Sequence, residues 1–189
     1  MNGDWPWDGG RPAVDLVNTL RDRKTAARET LHTPADLEGW LAAAGLTKPP
    51  VRATEQDLAT ARALREAIDT VAFAVLQSRR TPAEAVATIN AVASAVPVGP
   101  LLGIDAGGRP AAAQDPATAV AAGLAAIAVD AIGLLVDGEG ELARLRVCAA
   151  DDCGIRFIDR SPARNRQWCS MRRCGNRTKA RRHYARRHR

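Results

Sequence analysis

Aromatic side chains are scarce in this chain, with four Trp, two Phe and one Tyr among 189 residues. That shortage argues against recognition by rings stacked on unpaired bases, which needs a row of aromatics. Histidine is scarcer still, at three. His32 precedes a helix cap with no serine or cysteine constellation near it, and His183 and His188 fall late in a basic helix. No Gly-rich phosphate loop occurs, so an enzyme is not expected. Cysteine is missing from the first 147 residues.

Two further absences bear on location. The opening MNGDWPWDGGRP has neither a basic n-region nor an apolar h-region, so the expectation is a cytoplasmic protein. The apolar stretch 117–136 rests on alanine and glycine and contains Asp130. That carboxylate would cost ~2.5–3.5 kcal/mol at a bilayer centre. With Asp115-Pro116 before it and Asp137-Gly138 after it, the stretch reads as a buried helix, and no membrane partner is expected.

Charge is unevenly placed. Residues 144–189 carry fifteen Arg or Lys against three Asp, a net +12, whereas residues 1–143 carry twelve basic against eighteen acidic groups, a net −6. An acidic body therefore wears a basic arm, and a polyanion is the natural partner for the arm.

The body reads as helical. Thr33-Pro34, Thr54 and Thr81-Pro82-x-Glu84 each supply a capping signal ahead of an apolar-periodic segment, and Gly45 follows WLAAA as a stop. Leu58, Leu64, Ile68, Val71, Val75 and Leu76 recur near helical spacing as a core stripe. Leu101, Leu102 and Ile104 before Asp105-Ala-Gly-Gly predict a hairpin. The expected fold is mainly α: a helical N-terminal domain with a small β-hairpin over residues 1–140, then a small β-hairpin plus helix, treble-clef-like, over 141–189.

All four cysteines lie in that second segment, as Cys148-x4-Cys153-x15-Cys169-x4-Cys174. Thiolates in two short-loop pairs suit a tetrahedral zinc ion at ~2.3 Å, and four of them leave no open position for catalysis. Val147, Ile155, Phe157, Ile158 and Trp168 are most of the segment's apolar complement, too little for a core without metal. Two disulfides or four buried thiols are the competing readings, and an iron–sulfur centre is a minor one. Five residues span about 140° of a helix, so Cys169 should precede the terminal helix and Cys174 enter its first turn, with Ser170 as N-cap. Cys174, Thr178 and Ala185 then share the metal side, with Arg181 at its edge. Arg172, Asn176, Lys179, His183, Arg186 and Arg187 take the opposite arc, and with Arg177 and Arg182 they are the candidate nucleic-acid contacts. Neutralising roughly six phosphates would cost about a thousandfold in affinity between 50 and 200 mM salt.

Arg144-Leu-Arg-Val-Cys148-Ala-Ala-Asp-Asp-Cys153-Gly, followed by Trp168-Cys169-Ser-Met-Arg-Arg-Cys174-Gly175-Asn176-Arg177, resembles the bacterial CGNR zinc finger family over about residues 142–187. Ala13-Val-Asp15-Leu-Val17-Asn18-Thr19-Leu20 is similar to the LDFVNT-type signature of the ABATE domain, with Leu16 where phenylalanine is frequent. Together the resemblances imply a stress-related bacterial transcription regulator with Cys148, Cys153, Cys169 and Cys174 as ligands of one structural zinc and Gly175, Asn176 and Arg177 beside the metal. The expected partner is double-stranded DNA, with nucleoid association when bound and a homodimer to pair half-sites. RNA or nonspecific nucleic-acid binding and a zinc-stabilised protein-interaction module remain as alternatives. Asn18 is a candidate contact to a small, unidentified effector, although a polar side chain in an apolar stretch more often bridges neighbouring elements. Trp5, Trp7 and Trp40 read chiefly as cover for a core edge.

Overall fold

The computed structural model describes residues 5–95, 101–113, 115–116, 118–137 and 140–187. α1 (Pro12–Val17) opens on a proline, where the missing N–H leaves nothing unpaired. β1 (Leu20–Arg21) and β2 (Arg28–Glu29) pair antiparallel behind it. α2 (Pro34–Ala43) and α3 (Glu55–Leu76) both begin with a reciprocal capping box, Thr33 with Asp36 and Thr54 with Asp57. Each cap stabilises its helix by about 1 kcal/mol. At the end of α2, Gly45 takes φ +73°. Its N–H donates to Ala42 O and that of Leu46 to Leu41 O, a pairing that satisfies the last carbonyls.

α4 (Ala83–Ser94) departs from expectation, because Pro82 is its N-cap and no side chain closes the turn. Thr81 lies one residue too early. The predicted hairpin is present as β3 (Leu101–Ile104) and β4 (Pro110–Ala113). α5 (Ala119–Val136) follows. It is long and apolar enough to cross a bilayer. Val120, Leu124, Ile127, Ala128, Ala131 and Leu134 are nevertheless buried in the protein. Asp130 takes two bonds from the Arg11 guanidinium and one from the Ala13 amide. The helix is a core element rather than a span.

α1 to α5 enclose one apolar core that includes Leu16, Leu37, Trp40, Leu64, Ile68 and Ile127. Trp7 stacks on Trp40 with centroids 5.5 Å apart, and Trp5 packs against the same core. The α3 stripe holds as far as Val71, while Val75 and Leu76 at the last turn are 37 and 36 % exposed.

The C-terminal segment begins with β5 (Leu145–Val147), which pairs antiparallel with β6 (Arg156–Ile158). The strands flank the first cysteine pair, so Cys148 and Cys153 ride on the hairpin's own turn. The linker between Cys153 and Cys169 contains only β6 among its described elements. A widened turn over Met171–Gly175 leads into α6 (Asn176–Arg187). Ile158 leaves the finger's own cluster and joins Leu142 and Leu145 against Val14, Ala72 and Leu134 of the body. This shared cluster crosses the boundary expected near Gly140.

Candidate metal centre

Local chemistry places each sulfur. Cys148 follows β5, and its N–H donates to Ile155 O at 2.9 Å, which closes the first loop. Cys169 ends the linker with its own N–H on Cys148 Sγ. Ser170 caps the next turn by accepting from Arg173 N, and Cys174 lies in that turn. The arrangement is the one predicted from the five-residue spacing.

The four Sγ atoms lie within 4.8 Å of one another. Cys153–Cys169 and Cys169–Cys174 are 3.9 and 3.7 Å apart. Ligands ~2.3 Å from a tetrahedral centre stand about 3.8 Å from each other, so the spacing fits zinc. It does not fit a disulfide, whose sulfurs lie about 2.05 Å apart, and all four cysteines are free. Without a cation the sulfurs conflict over protons. Hydrogen bonds from Cys153 and Cys169 hold the Cys148 thiol far below its ordinary range. Cys148 in turn pushes Cys153 up to about 11, and Cys169 higher. A divalent ion removes the conflict by stabilising four thiolates together.

Three partners that sequence reasoning missed support the centre. Asp152 accepts from Arg177 at 2.8 Å and Arg181 at 3.0 Å. Burial opposes its ionisation, but these guanidiniums hold its carboxyl below the usual range. Asp159, fully buried, accepts from the amides of Ser161 and Arg166 and so ties down the linker. Lys24, from the turn between β1 and β2, donates to the carbonyls of Cys148 and Ala150. Gly154 is needed at this contact, since a Cβ there would lie 2.9 Å from Arg23 N.

The candidate nucleic-acid residues separate into two groups. Arg172, Asn176 and Lys179 are exposed, with Lys179 Nζ 6.0 Å from the Trp168 ring centroid. Arg177 is exposed as well, but its guanidinium is held on the metal side. Its guanidinium bonds Asp152 and reaches Cys174 Sγ at 3.7 Å, because it follows Cys174 by three residues and so shares its helix face. The side chains of Arg182, His183, Arg186 and Arg187 lie outside the described residues.

Asn18 takes the bridging role favoured for a polar side chain in an apolar stretch. It is 1 % exposed. Its Nδ2 donates to Arg156 O and its Oδ1 accepts from Arg156 N, both at 2.8 Å. The side chain imitates a neighbouring strand for β6 and bridges body to finger. A void at this joint, bordered by Val17, Asp69 and Arg156, measures about 10 Å³, room for no more than a water. Arg156 continues the joint with a two-point pair to Asp69, 2.9 Å at each bond. Asp15 and Thr19 complete the signature's work. Asp15 accepts from Gly9 N, and Gly9 O accepts from Ile158 N of the finger. Thr19 closes α1 on Leu16 O and receives the buried Arg65. The signature suggested polar bridging, but nothing in it names Arg156 as the partner.

Two family models match the chain. Residues 10–138 match the ABATE family model, described as "Putative stress-induced transcription regulator". Residues 144–187 match the CGNR zinc finger model. No curated protein matches the chain. Four buried cysteines at tetrahedral spacing within a matched zinc finger identify the cofactor as one zinc ion. The chain belongs to the ABATE family and carries a CGNR zinc finger behind its helical body.

Proposed function

We propose that this protein regulates transcription in the cytoplasm by binding double-stranded DNA through the outer arc of α6. The observation that carries the reading is a metal-anchored helix on which Asn176 and Lys179 are exposed, with Arg172 exposed on the turn that leads into it. The finger's net charge stays near +10 after the −2 of a zinc–thiolate centre is added to its +12. Zinc organises this surface and no turnover is expected, because four thiolates close the coordination sphere. Arg172 and Lys179 meet phosphate or guanine edges, and Asn176 reads adenine. Dimerisation through the body would set two helices on adjacent half-sites.

Selection of random duplexes by the zinc-loaded protein at about 150 mM salt tests the reading. A recurring motif is expected, duplicated in two half-sites if the protein dimerises. Retained DNA without a motif would replace the reading with nonspecific binding. No retained DNA would shift it to RNA or an acidic protein partner.

A further inference from the structure

A cavity of about 300 Å³ lies between the β1–β2 turn and the finger, and its walls include Asp22, Asp152, Cys153, Cys169, Cys174 and Arg177. It is not an anion site, because the −2 of the metal centre and the two carboxylates outweigh the three guanidiniums of Arg21, Arg173 and Arg177 around it. A small neutral molecule meets no such penalty.

The four sulfurs are unequally protected. Cys148 is fully buried, stands off the cavity and takes the Cys169 amide on its sulfur. Cys174 takes the charged Arg177 guanidinium, which withdraws electron density from the sulfur more strongly than a neutral donor does. Cys153 borders the cavity and, at 6 %, is the most exposed of the four. Cys169 stands 3.9 Å from it.

From this geometry we infer that Cys153 is a modification site, reached through the cavity by small neutral oxidants of the peroxide class, and that its product is a Cys153–Cys169 disulfide. The Cys153 thiolate attacks one peroxide oxygen. An S–O bond forms, the O–O bond breaks, and the departing hydroxide takes a proton to become water. The Cys169 thiolate then attacks the sulfenic sulfur. The S–S bond forms, the S–O bond breaks, and a second protonated hydroxide leaves as water. Two thiolates lose two electrons, and peroxide is reduced to two waters. Cys148 and Cys174 are left as half a ligand set, and α6 loses its metal anchor.

The zinc-loaded full chain answers this in two measurements that do not involve nucleic acid, so the inference and the DNA reading fail separately. In pulsed iodoacetamide labelling with peptide mapping, Cys153 is expected to react several-fold ahead of Cys148 and Cys174. With hydrogen peroxide, zinc release is expected to track a Cys153–Cys169 crosslink as the first disulfide. Equal labelling of all four cysteines would show that the whole finger opens instead, and a first crosslink containing Cys174 would place the attack elsewhere; either result overturns the inference. Arg177→Gln should raise Cys174 labelling towards that of Cys153. The decisive readings come from the unmodified protein and do not depend on that variant's folding.

Discussion

The body and the finger bury their interiors with different materials. Around α3 and α5 the core is Leu, Ile, Val, Ala and Trp40, drawn from five helices. In the finger, four of the seven buried residues of the central cluster are the cysteines themselves. An apolar core gains about 25 cal/mol per Å² removed from water and grows with chain length. A segment of fewer than fifty residues lacks that area, so metal ligation and contact with the body stand in for it. The body supplies Asn18, Lys24 and Asp69 to the joint, plus Val14, Ala72 and Leu134 to the shared cluster. The finger is therefore held from both sides, by zinc within and by the body behind.

Removing the metal should break the comparison most severely. Cys169→Ser, or chelation, forfeits much of a metal-linked stabilisation of ~10–16 kcal/mol. α6 is expected to melt and nucleic-acid binding to vanish while far-UV dichroism retains the body's helices. Loss of the body's helices as well would mean that the two cores fold as one.

A smaller effect tests the support from behind. Asn18→Ala strands the backbone N–H and C=O of Arg156, at about 1–3 kcal/mol for each buried group left unpaired. Chemical denaturation should register the loss, and hydrogen exchange at the Arg156 amide should quicken before the body's core amides respond. An unchanged Arg156 amide would mean that β6 needs no partner from α1.

Asp15 gives a pH-dependent change of similar or lesser size. Burial, helped by nearby Asp130 and opposed by the Gly9 amide, pushes its carboxyl up from 3.8 to about 6. Between those values the folded chain keeps a proton that the unfolded chain releases, so stability falls as pH rises from about 4 to 6 and the penalty then stays constant. Asp15→Asn keeps an acceptor for Gly9 and removes the charge. It should stabilise the chain by on the order of 1–3 kcal/mol at pH 7.5 and by little at pH 4, as read from denaturation midpoints at the two pH values. A gain of equal size at both would exclude the buried charge as its cause.

The smallest effect on stability is expected on the finger's outer arc. Replacing Arg172 and Lys179 together by Ala should leave zinc content unchanged and cost little stability, since both side chains are exposed and the one contact at stake is that of Lys179 with the Trp168 ring. It should lower the salt slope of DNA binding by roughly 1.8 if each meets one phosphate. Arg177→Ala should instead disturb zinc retention, because its partners are Asp152 and Cys174.

The parts of this fold legible in the sequence are those whose cause is local. Thr33 and Thr54 name their helices because the acceptor and the amide it caps are three residues apart. Gly45 marks a stop because only a residue free of Cβ takes that backbone turn cheaply. The cysteine spacing names zinc, and even the place of Cys174 within the first turn, because five residues of helix subtend a known angle. Thr81 misled for the same local reason: its signal is present, but the chain entered α4 at Pro82 and left it one residue outside.

The partners of the polar residues were decided only by the folded chain. Asn18 and Arg156 are 138 residues apart and Arg11 and Asp130 are 119, with no periodicity between them to announce a contact. Arg177 looked like its exposed neighbours on a basic helix until Asp152 and the Cys174 sulfur claimed it. A side chain's type limits which bonds it can make. Which groups arrive to make them depends on how the hairpin, the helices and the metal loops pack, because burial obliges every polar group to find whatever partner that packing brings within reach.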